Sequence, residues 1–220
     1  MMATHWHRVA PVLLSVVLLG ALSQSSGIRA FTLNGPSWAA PSVPYLLNPA
    51  NLDLSANAVE AAIQSGATAW ATQTNASFDF SYAGRSAQTT ITNDAVNLVI
   101  FRNASSGSTI ATTYYWYNSS GLLDADIVFW DAGFDFFSGS SGCSGGFYIE
   151  DVAAHEFGHA LGLGHTNVSG ATMYPSISSC STGPRSLHAD DIAGVEALYP
   201  PSSPPPPPSI PTGFRIVTTS

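Results

Sequence analysis

"AAHEFGHALGLGH", residues 153–165, carries three of the chain's six histidines, His155, His159 and His165, within eleven positions. His5 and His7 lie at the N-terminus and His188 stands alone. Only 9% of the 220 residues are charged, so this crowding of imidazoles is out of keeping with the rest of the chain. A buried amphipathic helix is the bland reading, and a metal site is the sharper one. His155 and His159 are four apart, so on a helix they project from one face and can share an ion. Glu156 lies about 100° further round, where it can reach a metal-held water without being a ligand. A helix continued past Leu161 would carry His165 away from the other two. Gly162 supplies the positive φ that turns the chain back, and Gly164 adds latitude. His165 then closes a three-nitrogen face with a fourth position left for water, as in catalytic zinc sites. A bare H-E-x-x-H recurs by chance. A glycine and a third histidine at these offsets make coincidence a poor explanation.

Composition bounds the setting. The length suits one domain with a proper core. Six arginines, no lysine and fourteen acids give a net charge of -8, which argues against a nucleic-acid or anionic-membrane surface. His5, His7 and Arg8 precede the apolar run Val9 to Leu22. Those fourteen residues are fewer than the roughly 20 needed to span a bilayer, so 1–30 reads as a signal peptide. Cleavage is expected after Ser23 or Ala30, with Ala30 preferred, and no membrane span remains afterwards. The destination is secreted and extracellular. The two cysteines, Cys143 and Cys180, then read as a disulfide bracketing the histidine stretch; free thiols or one metal-bound thiolate are the alternatives.

Along the chain, "SVPYLLN", 42–48, is a first strand. Val59, Ala62, Ile63, Gly66, Ala67 and Trp70 form one stripe of a helix capped by Ser55 or Asp53. "FDFSY", 78–82, alternates as a half-buried strand. "NLVIF", 97–101, is apolar throughout, as in a strand covered on both faces. "TTYYWY", 112–117, and "ADIVFW", 125–130, are strands joined by the turn "NSSG". A Gly/Ser-rich loop, 138–146, leads to the histidine helix, with Glu150 and Asp151 at its positive end. A third helix spans about Ala189 to Leu198, with Ile192, Val195 and Leu198 inward. The layout is α/β (α+β), a twisted five-stranded mixed sheet with three helices. "PPSSPPPPPSIP", 200–211, is an extended polyproline-type spacer, and 212–220 is a tail or the start of a further domain.

The run His155–Glu156–His159–Gly162–His165 resembles the metzincin zinc signature H-E-x-x-H-x-x-G-x-x-H. The wider "VAAHEFGHALGLGHT" resembles the matrixin (matrix metalloprotease) branch, with Thr166 where Ser is usual. "ATMYP" places Met173 eight residues past His165, as in the Met-turn of that family, though plain core packing is the other reading of that side chain. Pro175 stands where astacins and serralysins carry Tyr. "LHADDIAGVEALYP" resembles the matrixin third helix, with His188 at a position where a Ser cap is common. The resemblance covers most of 31–200. It implies a metzincin-like fold in which the active-site helix is followed by a Gly turn and the Met-turn. It also implies a secreted, monomeric zinc endopeptidase acting on protein or peptide substrates. One catalytic zinc on His155, His159 and His165 activates a water, with Glu156 as general base. Substrate is expected to lie antiparallel to an edge strand from 112–117. The segment 174–180, beginning at Tyr174 and Pro175, is expected to wall the pocket for the side chain after the scissile bond.

Three departures from the family pattern follow. No P-R-C-G-like propeptide segment precedes the domain. "RNASSGSTIATTYYWY", 102–117, contains neither His nor acid, so no second zinc is expected there. Bound calcium is not expected in that loop either, but the chain has acids elsewhere that could hold it. Asp124, Asp126, Asp131 and Asp135 are its candidate ligands, with solvated turn acids as the plainer reading. Lastly, "FTLNGPSW", 31–38, resembles the mature start of some matrixins, so signal cleavage is expected to free Phe31 to dock on Asp190 or Asp191. The competing function is a catalytically inactive zinc-binding adhesion or scaffold module of the same fold; an intact Glu156 speaks against it. A peptidase of another metzincin branch is disfavoured by Met173–Pro175.

Overall fold

A computed structural model describes residues 30–202; the leader expected at the N-terminus and the spacer and tail beyond Ser202 lie outside them. The elements are β1 Thr32–Leu33, β2 Ser42–Asn48, α1 Ala56–Thr72, β3 Asp79–Arg85, β4 Asn97–Arg102, β5 Ala111–Asn118, β6 Gly121–Trp130, β7 Phe136–Phe137, β8 Phe147–Tyr148, α2 Ile149–Leu161, β9 Leu163–Gly164 and α3 Ala189–Leu198. Five of the strands form one mixed sheet in the order β3-β2-β4-β6-β5. All its pairings are parallel except β5 with β6, which the tight turn after Asn118 makes antiparallel. The expected α/β sheet with three helices is therefore the observed one.

Side-chain patterning explains the layers. In α1 the stripe Val59, Ala62, Ile63, Gly66, Ala67 and Trp70 is buried, and Ser55 caps the helix by accepting the Ala58 N–H, satisfying one of the unpaired first-turn donors. One core joins that stripe and the inner face of α2 to Val43, Tyr45, Leu47, Val99, Ile127 and Phe129 of the sheet. On the opposite sheet face a smaller cluster of Leu98, Ile100 and Val128 is covered by Ile91 and Trp130. That is why "NLVIF" carries no polar alternation: Val99 faces one core and its two neighbours the other. In α3, Val195 is buried while Ile192 and Leu198 are only partly so, so the helix lies more shallowly than its pattern suggests.

The acids of the second half of the sheet differ from expectation. Asp124, Asp126 and Asp131 are 0%, 1% and 5% exposed, not solvated, whereas Asp135 is exposed. The reason is main-chain N–H groups that need acceptors, reaching these acids from the segment that enters β4 at one end of the sheet and from the segment that leaves β2 at the other. Asp124 accepts from Asp94 and Ala95, Asp126 from Thr92 and Leu98, and Asp131 from Leu52. Burial, with Asp124 beside it, pushes the Asp126 carboxyl up to about 7.

Candidate metal centre

The centre is built by α2 and the turn that ends it. Gly162, with φ +108, is the left-handed C-cap, and its N–H bonds back to the Gly158 and His159 carbonyls. A side chain there would be strained. The chain then doubles back through β9, whose Leu163 and Gly164 pair with Leu33 and Thr32 of β1, while the Thr32 hydroxyl donates to the His165 carbonyl at 2.6 Å. The carbonyls at the helix end are capped from elsewhere: Ala160 by the Trp38 indole and Leu161 by the Tyr199 hydroxyl. These partners hold His165 opposite the other two imidazoles.

Each of the two helix imidazoles is oriented by its second nitrogen. His155 Nδ1 lies 2.6 Å from the Thr172 carbonyl and His159 Nδ1 2.8 Å from the Leu163 carbonyl. A carbonyl only accepts, so each Nδ1 carries the proton and each Nε2 is a bare lone pair. Both Nε2 atoms stand 3.2 Å from His165 Nε2. One proton cannot satisfy that convergence, whereas a shared cation can. Tetrahedral zinc with nitrogens at ~2.0–2.1 Å spaces its ligands about 3.3–3.4 Å apart, so the donor set fits zinc. Burial holds His155 and His159 down to about 4 and lowers His165 as well, which keeps all three neutral and able to ligate. Among the described residues this is the one group of three or more His, Cys, Asp or Glu side chains gathered closely enough to hold an ion.

Glu156, 5% exposed, points into the same cleft. Burial raises its carboxyl above the ordinary range, against the opposing pull of His159 and of a hydrogen bond from Thr113. Beneath the centre lies Met173, 2% exposed. A Cβ on Gly158 would sit 2.3 Å from its sulfur and 2.6 Å from Trp70, so Met173 packs directly on the glycine face of α2. Asp191 locks this segment. It accepts the Thr172, Met173 and His188 N–H groups, while His188 caps α3 through the Asp190 N–H. Asp191 therefore sets the Thr172 carbonyl that orients His155, a link the sequence pattern did not signal. Asp190, not Asp191, receives the N-terminal segment: its Oδ1 accepts the Phe31 and Ala30 N–H groups at 3.0 and 3.1 Å.

The cleft has a volume of about 620 Å³. Its lining comes from Ala111–Thr113 of the edge strand and Thr109 and Ile110 just before it, from Tyr174, Pro175, Ser176 and Ile177, and from Phe134, Phe147 and Val152. The wall segment is braced by the Cys143–Cys180 disulfide, by the Cys180 N–H on the Gly146 carbonyl, and by Arg185. Arg185 pairs with the buried Asp151, donates to the Gly139 carbonyl and lies over the Tyr148 ring. Glu150 and Asp151 are thus more than dipole partners. Closing a loop of sequence separation 37 contributes roughly 4 kcal/mol in the chain-entropy picture. Reduction is expected to lower Tm by roughly 10 °C for a domain of this size. Calorimetry with and without reductant checks this, and an unchanged Tm would show that the bond contributes nothing.

Comparison with known proteins agrees with the geometry. The family model described as Matrixin, of the M10 peptidases, matches residues 37–200. Neutrophil collagenase of Homo sapiens is 45% identical over 73 residues, covering 33% of this chain and 16% of that protein. Matrix metalloproteinase-27 of Homo sapiens is 31% identical over 179 residues, covering 79% of this chain and 32% of that protein. Matrix metalloproteinase-20 of Homo sapiens is 28% identical over 171 residues, covering 76% and 33%. The chain thus spans at most a third of the length of these relatives. Among the described residues no helix is long and apolar enough to cross a membrane.

Proposed function

Because the chain belongs to the matrixin family of zinc metalloendopeptidases, we propose that it is a secreted, monomeric endopeptidase that hydrolyses peptide bonds in proteins and peptides with Glu156 as general base. The observation that carries this reading is the convergence of three neutral imidazole nitrogens beside a buried carboxylate, in a cleft open along a sheet edge. His155, His159 and His165 would hold the ion. When bound, zinc supplies Lewis-acid polarisation and a water acidic enough to attack at neutral pH.

Glu156 takes one proton from that water as its oxygen bonds to the scissile carbonyl carbon. It passes the proton to the departing nitrogen as the C–N bond breaks, leaving a carboxylic acid and an amine. Its raised proton affinity in the buried site suits both halves of the transfer. Substrate lies extended along β5, which is the edge of the sheet, and pairs through its main chain. Tyr174 and Pro175 wall the pocket for the side chain after the scissile bond, held in place by the Cys143–Cys180 bridge and Arg185. Signal cleavage before Phe31 would leave a free ammonium beside Asp190, at the start of the β1 segment that already pairs with β9 and supports His165.

The test is direct. The purified chain with one equivalent of zinc is incubated with an unfolded protein, and new termini are read by mass spectrometry. Internal cleavage is expected; an untouched substrate would sink the reading.

A further inference from the structure

The Glu156 side chain is held from outside its own helix. Thr113, on the edge strand β5, donates its hydroxyl to Glu156 Oε2 at 2.7 Å, and the hydroxyl oxygen also lies 3.0 Å from the Glu156 carbonyl. One hydroxyl is thus wedged between the main-chain oxygen and the carboxylate of a single residue 43 positions away. The contact ties the carboxylate to β5, and Glu156 cannot swing away without breaking it. Thr113 is well suited to this, since a β-branched side chain is stiff at χ1, and its neighbour on the same strand face, Tyr115, lines the cleft.

We propose that Thr113 is the positioning residue for the general base. By anchoring Oε2 it reserves Oε1 for the proton taken from water and given to the leaving amine. This rests on the peptidase reading above. A hydroxyl has one proton to donate, and while Glu156 is ionised that proton bonds Oε2. After the carboxyl has taken a proton on Oε1, Oε2 still accepts, so the anchor outlasts the transfer and the base returns to the same place each cycle. Because β5 is also the strand along which substrate is proposed to lie, substrate and base are referenced to one rigid element. Misplacement of a reacting group by about 1 Å can cost on the order of 100-fold in rate.

The experiment compares Thr113→Val, which keeps shape and loses the hydroxyl, with Thr113→Ser, which keeps the hydroxyl, in the zinc-loaded full chain on a peptide substrate. Thr113→Val is expected to lower kcat by about 10- to 100-fold with KM held within about twofold, and Thr113→Ser to restore most of it. A crystal structure of Thr113→Val is expected to show the Glu156 carboxylate displaced from its place beside β5. A Thr113→Val enzyme with kcat near wild type, a loss confined to KM, a Thr113→Ser enzyme as impaired as Thr113→Val, or an unmoved Glu156 would each overturn the assignment. A wild-type chain that cleaves nothing would defeat the peptidase reading alone, and the position of Glu156 in the Thr113→Val crystal would still decide the role of Thr113.

Discussion

Replacing Glu156 by Gln is expected to lower kcat by about 10³-fold, the middle of the range for losing a positioned proton-transfer group, while zinc stays at one equivalent per chain. The substitution keeps size and removes the proton affinity. Glu156 is not among the three side chains whose nitrogens converge, so the ion has no reason to leave. Its carboxylate accepts from Thr113, and a Gln carbonyl oxygen can do the same, so the fold and the cleft should persist. Paired measurements of metal content and peptide hydrolysis check both halves. A Glu156→Gln protein with more than about a tenth of wild-type activity would exclude Glu156 as the base, whose loss should cost at least 100-fold. Loss of zinc together with activity would mean that the carboxylate helps to hold the ion. The same pair of measurements separates an enzyme from a zinc-binding scaffold, because only an enzyme has activity to lose.

The second large effect concerns the ligands. His159→Ala is expected to leave the protein below one equivalent of zinc and without measurable hydrolysis. Chelation of the wild type should abolish activity, and one added equivalent should restore it. Without an ion, the lone pairs of His155 and His159 face His165 at 3.2 Å inside a site where burial disfavours imidazolium. The metal relieves that repulsion, so its removal should cost stability as well as activity. Saturation at a thousandfold over Kd contributes about 4 kcal/mol, on the order of 10 °C in Tm for a domain of this size. A chelated protein with unchanged Tm and full activity would rule out zinc at this site.

Much of this organisation was readable along the chain. The stripe from Val59 to Trp70 is a 3.6-residue period, and α1 follows it. The double-sided burial of Leu98, Val99 and Ile100 follows from an apolar run with no polar break. The burial of Asp124, Asp126 and Asp131 did not, because a carboxylate's surroundings depend on which loop folds over it, and no local pattern encodes the covering segment. Arg185 is a similar case. Nothing within its own loop marks its partner, Asp151, which lies 34 positions earlier.

The two kinds of information divide at the centre itself. His155, Glu156, His159 and the Gly162 turn are within one helix and its cap, where the relation between side chains is set by helical rise and a single positive φ. No distant partner is needed, so spacing alone defines them. The bond from Thr113 to Glu156, the grip of Asp191 on Thr172 and Met173, and the choice of Asp190 over Asp191 for Phe31 all join residues from separate elements. Alternation in a strand says which face a side chain takes but not which helix it meets. Only once β5 closes the sheet edge over α2, and α3 packs beneath the Met173 turn, do those contacts exist.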